Sequence, residues 1–112
     1  MKDSLKSIDF SGFKIYYFTE GLDLSSSFVV IQLPPNSRHS EFWSTRSDKY
    51  YYIINGENQF ILEEKEFKLS KGDFCIVEKG QHFSYKNIQK DFANLILIHT
   101  PNFNIKYEKF KE

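Results

Sequence analysis

This sequence predicts an all-β fold, two packed antiparallel sheets or a closed jelly-roll barrel, and three observations carry that reading. Short runs alternating apolar and polar residues recur along the chain. Aromatic residues make up 18% of it, with 12 Phe, 7 Tyr and one Trp, and such side chains suit a half-buried pleated surface. The runs are separated by turn residues, and none shows a sustained helical stripe. Strands this short and this numerous favour closure, which removes unpaired edges.

The period-two runs, in order, are Phe13 to Phe18, Phe28 to Leu33, Tyr50 to Ile54, Gln59 to Leu62, Glu66 to Leu69, Phe74 to Val77, Phe83 to Asn87 and Asn94 to Thr100. Pro34-Pro35-Asn36-Ser37 ends the second run. Asn55-Gly56 supplies positive-φ residues for a hairpin after the third, and Lys71-Gly72-Asp73 and Lys79-Gly80 supply two more turns. One longer loop is expected from Arg38 to Asp48. The only helical expectation is a short piece near Ser4 to Ile8 or in the tail.

The chain's 112 residues make one ordinary domain, with a barrel core from about 13 to 103 and a tail over 104–112. Lys and Arg number 15 and Asp and Glu number 15, so no global field attracts nucleic acid or an anionic membrane. Lys106, Lys109 and Lys111 alternate with Glu108 and Glu112 in the tail, a pattern that reads as solvated surface or a dimer-contacting segment. Cys75 is the single cysteine. It permits no intrachain disulfide and no cysteine-based zinc site, sits in an apolar run as a small hydrophobe, and fits a reducing cytoplasm. No leader-like apolar run or stretch of ~18 apolar residues is present. GxSxG, P-loop, dinucleotide and HExxH patterns are absent as well.

From Val29 to about Phe103 the sequence resembles the small single-domain cupins. The family's second motif spaces Gly, Pro-x-Gly, His and Asn; Gly72, Gly80 and Asn87 match it without a gap, while Glu78 replaces the proline. Tyr50 to Glu57 resembles the end of the first motif, and His99-Thr100-Pro101-Asn102-Phe103 the end of the last strand. The resemblance implies a cupin-type jelly-roll barrel of two antiparallel sheets. Gly56 and Gly80 fall at chain reversals, and Asn87 is expected to tie a strand to a turn.

Cupins commonly bind a metal through these motifs, and here the ligand positions have changed. Counted without gaps, the family's glutamate falls on Lys49 and its second-motif histidine on Phe83. Its His-x-His pair falls on Phe42 and Ser44 or on Trp43 and Thr45. An ammonium repels a divalent ion, so the leading expectation is a barrel without cofactor. Trp43, Lys49, Tyr51, Phe83 and His99 would line a pocket for a small polar ligand, sugar- or carboxylate-like. The plainer reading has the barrel filled by its own rings and Lys49 reaching to solvent.

The fallback is one divalent metal, such as Fe, Mn, Ni or Zn, held by His39, Glu41 and His82, with His39 and Glu41 on one strand face. His39 or His82 could also act as a general base beside a tyrosine, as in metal-free sugar-nucleotide epimerases and isomerases of this fold. Taken singly, His39 reads as loop surface, His82 as a rim residue and His99 as a satisfied core or rim histidine. The stretch Gly80 to Asn87 resembles the metal-free cupin domain of centromere-protein C type proteins, which implies a dimerisation module as a third reading. A homodimer is expected, through sheet faces or strand exchange at the termini.

Overall fold

The structure, a computed structural model, describes residues 7–10, 13–17 and 25–111, with side chains placed for 13–16 and 25–111. Eleven strands are present among them: β1 (Ser7–Phe10), β2 (Phe13–Tyr17), β3 (Ser27–Leu33), β4 (Arg38–Ser44), β5 (Asp48–Asn55), β6 (Asn58–Leu62), β7 (Lys65–Leu69), β8 (Phe74–Val77), β9 (Phe83–Asn87), β10 (Ala93–Thr100) and β11 (Glu108–Phe110). They form a six-stranded sheet ordered β1-β2-β3-β10-β5-β8 and a five-stranded sheet ordered β11-β4-β9-β6-β7. All the pairings are antiparallel.

From β3 onward the chain changes sheet at every connection except β6 to β7, which is the jelly-roll path. That corrects the reading of Asn55-Gly56 as a hairpin. β5 and β6 do not pair, and Gly56 turns the chain from one sheet to the other with φ +93. A Cβ there would lie 2.7 Å from the Ala93 Cβ, so glycine is needed both for the dihedral and for the close approach. The tight hairpin is β6–β7, where Leu62 pairs directly with Lys65. Glu63 and Glu64 take φ 47 and 73, the two positive values of a type I′ turn.

All eight expected strands form, with Phe18 lying outside the described residues. Three further strands appear. The expected loop from Arg38 to Asp48 is β4 followed by a short turn. Of the helix expected near Ser4 to Ile8, residues 4–6 lie outside the described residues, and Ser7 and Ile8 are in β1. Residues 105–107 form a 3-10 turn, and β11 then pairs with β4 through Glu108↔Ser44, Lys109↔Trp43 and Phe110↔Phe42. The 104–112 segment is therefore part of the barrel wall through Phe110. Thr45 N–H donates to the Tyr107 carbonyl at 2.8 Å and Lys111 N–H to the Glu41 carbonyl at 3.0 Å, tying the segment down on both sides.

The strand alternation sets the core. In β3, Val29, Ile31 and Leu33 face in; in β10, Ala93, Leu95 and Leu97 do so. At one end Leu33, Ile53, Phe60, Ala93 and Leu95 fill the interior with no exposed surface or almost none. Phe60 stacks on Tyr85 at 5.0 Å, and Tyr51 meets Phe60 edge-on at 5.3 Å. Asn87 closes this end: its Nδ2 lies 3.2 Å from the Leu33 carbonyl and 2.7 Å from that of Asp91, while its Oδ1 accepts from Gln89 N–H. The opposite end, around Val29, Lys49 and His99, is not filled.

Candidate functional site

That unfilled end is a cavity of about 270 Å³, near the lower bound for small-molecule sites (~300–1,000 Å³). Its wall is mostly apolar, from Ile15, Val29, Ile31, Phe42, Leu97 and Phe103, and its polar groups are His39, Lys49, Tyr51, Tyr85, His99 and Glu108.

Inward side chains of three neighbouring positions on β5 and β10 supply the polar floor. His99 pairs with Lys49 across the ladder, and Leu97 with Tyr51. Lys49 is 2% exposed. Its Nζ is ion-paired with Glu108 of β11 and lies 4.3 Å from the centre of the Phe42 ring and 5.3 Å from that of Phe83, both within cation–π range. Burial lowers the Lys49 pKa, and the Glu108 carboxylate opposes that shift. Lys49 thus neither reaches solvent nor offers an unpaired charge. Glu108, read as surface in the sequence, is 8% exposed. Alternation of charge in a tail cannot show which member pairs inward, and only the strand partner Ser44, itself buried on β4, places Glu108 inside.

A bulge in β4 decides the histidines. The β4–β9 register shifts between His39 and Phe42, so both face in, although they are three residues apart. Their rings stack at 3.7 Å, and Tyr85 lies 5.4 Å from His39. His39 is buried, not loop surface. Its Nδ1 is 2.7 Å from the Ser40 carbonyl; a carbonyl only accepts, so Nδ1 carries the proton and the ring's lone pair is at Nε2. Burial first, then the Lys49 charge, lowers its pKa to about 4. His99 is lowered to about 3 by the same two causes in the same order. Its Nδ1 is buried with no hydrogen-bond partner, which corrects the reading of a satisfied histidine. Burial, then the neighbouring Tyr85 and Glu108, pushes the Tyr51 phenol well above its usual value.

Of the five expected pocket residues, Lys49, Tyr51 and His99 line the cavity together. Phe83 faces in beneath Lys49 and meets the Phe42 ring at 4.1 Å. Trp43 is on the other face of β4, outside the barrel, stacked on His82 at 3.9 Å. His82 Nδ1 is 3.2 Å from a Glu41 carboxylate oxygen. Glu41 and His82 are therefore together on the outside while His39 is inside, and the same bulge overturns the expectation that His39 and Glu41 share a face.

A divalent ion does not fit these residues. Among the described residues no group of three or more His, Cys, Asp or Glu converges, and the cavity's two imidazoles flank an ammonium. Cys75 is buried in the core, and burial raises its pKa. No helix among the described residues is long and apolar enough to cross a membrane.

The model of the cupin domain matches residues 29–99. No curated protein matches the chain. Among solved structures, Streptomyces Pac13, described as a nucleoside dehydratase, superimposes with a TM-score of 0.86 at 19% identity, covering 100% of this chain and 88% of that one. A histidine-to-glutamine variant of it with uridine gives 0.87 at 19% identity, with the same coverage. Two tyrosine-to-phenylalanine variants, also with uridine, give 0.86 at 18%. A cupin-superfamily sugar phosphate isomerase from Silicibacter pomeroyi gives 0.76 at 14% identity, over 88% of this chain and 72% of that one. The cupin domain of Schizosaccharomyces pombe Cnp3 gives 0.78 at 20%, over 88% and 70%.

Proposed function

The chain belongs to the cupin domain family, and from that premise we propose that it binds a small polar molecule in the barrel cavity without a metal and moves a proton on it. The observation that carries this is the convergence of His39, His99, Tyr51 and Tyr85 on one apolar-walled cavity whose only cation among the described residues is already paired with Glu108.

The charges favour an uncharged ligand over the carboxylate that the sequence also allowed. An anion drawn to Lys49 would have to displace Glu108 from a buried pair, and removing one partner of such a pair costs ~3–5 kcal/mol. A neutral sugar or nucleoside meets no such cost. It would satisfy the buried His99 Nδ1, which otherwise lacks a partner.

The chemistry we propose is of the isomerase or eliminase kind. His39 Nε2 accepts a proton from carbon next to a carbonyl and gives the same proton back, either to a neighbouring atom of the molecule, which isomerises it, or to a hydroxyl on the next carbon that departs as water, which leaves a double bond. The nucleoside dehydratase studied with uridine, with a histidine and two tyrosines altered, supports taking a nucleoside as the first ligand class to try. In this chain the β4 histidine that lines the cavity is His39, and among the described residues the tyrosines that line it are Tyr51 and Tyr85. The alternatives, a metal enzyme using His39, Glu41 and His82 or an inert dimerisation module, are less supported. The first needs residues from both sides of β4, and the second gives no role to an open cavity lined by polar groups.

Calorimetric titration with uridine, a neutral monosaccharide and their phosphate and carboxylate counterparts tests the reading. Binding of a neutral member, weakened roughly tenfold or more by His99→Leu, is expected. Binding of the anions alone, or of none of the panel, would overturn it.

A further inference from the structure

The outer face of the five-stranded sheet carries another hollow, a groove of about 500 Å³, within the size range of small-molecule sites (~300–1,000 Å³). Three cations border it: Arg38 of β4, Lys86 of β9, and Lys111, which follows β11. The backbone fixes their positions. Arg38 and Lys86 are direct cross-strand partners. Both are exposed, while the adjacent His39 and Tyr85 are buried on the inner face. Lys111 is held alongside by its N–H, which donates to the Glu41 carbonyl at 3.0 Å. The three lie far apart in the chain, so a composition balanced at 15 against 15 hides the cluster.

Like charges directly opposite each other destabilise a sheet, and a nearby carboxylate is the ordinary remedy. The same row shows that remedy two strands further on. Gln59 pairs with Lys86 on one side and Lys68 on the other, and Lys68 has Glu57 at 3.6 Å. Among the described residues the ion pairs are Lys49–Glu108, Lys68–Glu57 and His82–Glu41, so Arg38, Lys86 and Lys111 have none. The carboxylate that lines the groove, Glu41, is engaged by His82 at 3.2 Å. The groove therefore concentrates positive charge that the chain does not neutralise. Its other polar groups, Ser40, Ser84 and Gln59, add hydroxyl and amide donors.

We propose that this groove is an anion site, which takes the phosphate end of a small phosphorylated molecule between Arg38 and Lys86, with Lys111 at its side. The arginine fork matches phosphate oxygens in pairs, and an ammonium adds a point charge. A lone carboxylate carries one charge and two oxygens, too few for three cations and their hydroxyl neighbours. A phosphate ester or diphosphate supplies two or three charges and enough acceptor oxygens to use them all. Nucleic acid fits less well, because the next cation along the row, Lys68, is already paired and no track of free charge leads out of the hollow. The site is distinct from the barrel cavity and does not rest on what the cavity binds. His39 and Tyr85 border both hollows, so a single layer of sheet separates them.

Calorimetric titration of the whole chain with pyrophosphate, at ~50 mM salt to limit screening, tests the proposal. Citrate, an anion of similar charge built from carboxylates, is the control. Pyrophosphate should bind with a Kd of about 0.1–1 mM and citrate more weakly. Arg38→Gln and Lys86→Gln should each weaken pyrophosphate ~10-fold or more, since each removes charged hydrogen bonds. Lys68→Gln should leave the affinity unchanged. So should His99→Leu, which alters the cavity and not the groove; a pyrophosphate that His99→Leu expels sits in the cavity and overturns the proposal. Thermal melts without ligand should show Arg38→Gln at least as stable as the wild type, because the like-charge pair is gone; a loss would mean that Arg38 serves the fold, and counts against the site. No pyrophosphate binding up to ~10 mM, citrate bound as tightly, or indifference to both Arg38→Gln and Lys86→Gln overturns the proposal. So does a single-stranded DNA of ~12 nucleotides that binds through Arg38 and Lys86 where pyrophosphate does not, which would give the face to nucleic acid.

Discussion

Replacing Glu108 by Gln isolates the Lys49 ammonium inside the barrel, and the structure bounds what that must cost. Lys49 is 2% exposed, and its carboxylate partner is buried with it, so water cannot take the carboxylate's place without opening β11. Breaking a buried pair by removing one partner costs about 3–5 kcal/mol. The ammonium has one escape, loss of its proton. From an ordinary lysine value of 10.5, that costs about 5 kcal/mol at pH 7, at 1.36 kcal/mol per unit, and sets a ceiling of the same size. Urea unfolding of Glu108→Gln at pH 7 should therefore show a loss of about 3–5 kcal/mol. The deficit should shrink as pH rises towards 10, because deprotonation of the orphaned lysine becomes cheap. Lys49→Met combined with Glu108→Gln should recover most of it, since no charge is left buried. A single-variant loss below about 1 kcal/mol, or a double variant as unstable as the sum of the two singles, would refute the account of a buried, mutually dependent pair.

The remaining expectations concern pH and backbone. His39 and His99 have folded values of about 4 and about 3 against 6.5 for the free side chain. The unfolded chain therefore binds more protons below pH 6.5, and stability, full above that value, should fall as pH drops from 6.5 towards 3. The upper bounds are about 3 kcal/mol for His39 and about 5 kcal/mol for His99; a flat stability profile from pH 7 to pH 4 would contradict this, and His99→Leu should remove the larger share. Gly56→Ala should cost about 2–4 kcal/mol, because it combines positive φ with a Cβ 2.7 Å from that of Ala93; an unchanged urea midpoint would show that the corner relaxes freely. Glu64→Gly, at φ 73 in the β6–β7 turn, should stabilise the chain by about 0.5–1 kcal/mol, read in the same unfolding assay.

The fold was legible where period two survived. β3, β5 and β10 alternate cleanly, and Gly72, Gly80 and Asn87 fell where the family's second motif puts them. β4 was not legible, because its bulge breaks the alternation between His39 and Phe42 and Arg38-His39-Ser40-Glu41 reads as polar loop. Asn55-Gly56 carried a hairpin signal, yet sheet membership is a long-range property that local turn chemistry cannot report. Glu63-Glu64 made the true hairpin with residues that carry no such signal, held there by the pairing of β6 with β7. In the site, Lys49 and Tyr51 follow from β5 alternation, and His99 from β10. Glu108 was missed because its inward direction depends on a partner far away in sequence, Ser44; Tyr85 shares the inward face of β9 with Phe83 by simple alternation, so the signal for it was present in the Phe83 to Asn87 run.

The two ends of the Lys49–Glu108 bond lie 59 positions apart, which has a bearing on synthesis. While the chain is being made, the lysine emerges long before its carboxylate, and β4 waits with an open edge until residues 108–110 arrive. A nascent chain at that stage resembles a barrel with a missing stave, and pairings of such long span are slow to find. Ribosome stalling or a nonsense change ahead of Glu108 should accordingly yield aggregate or proteolytic fragments, not a slightly weakened protein.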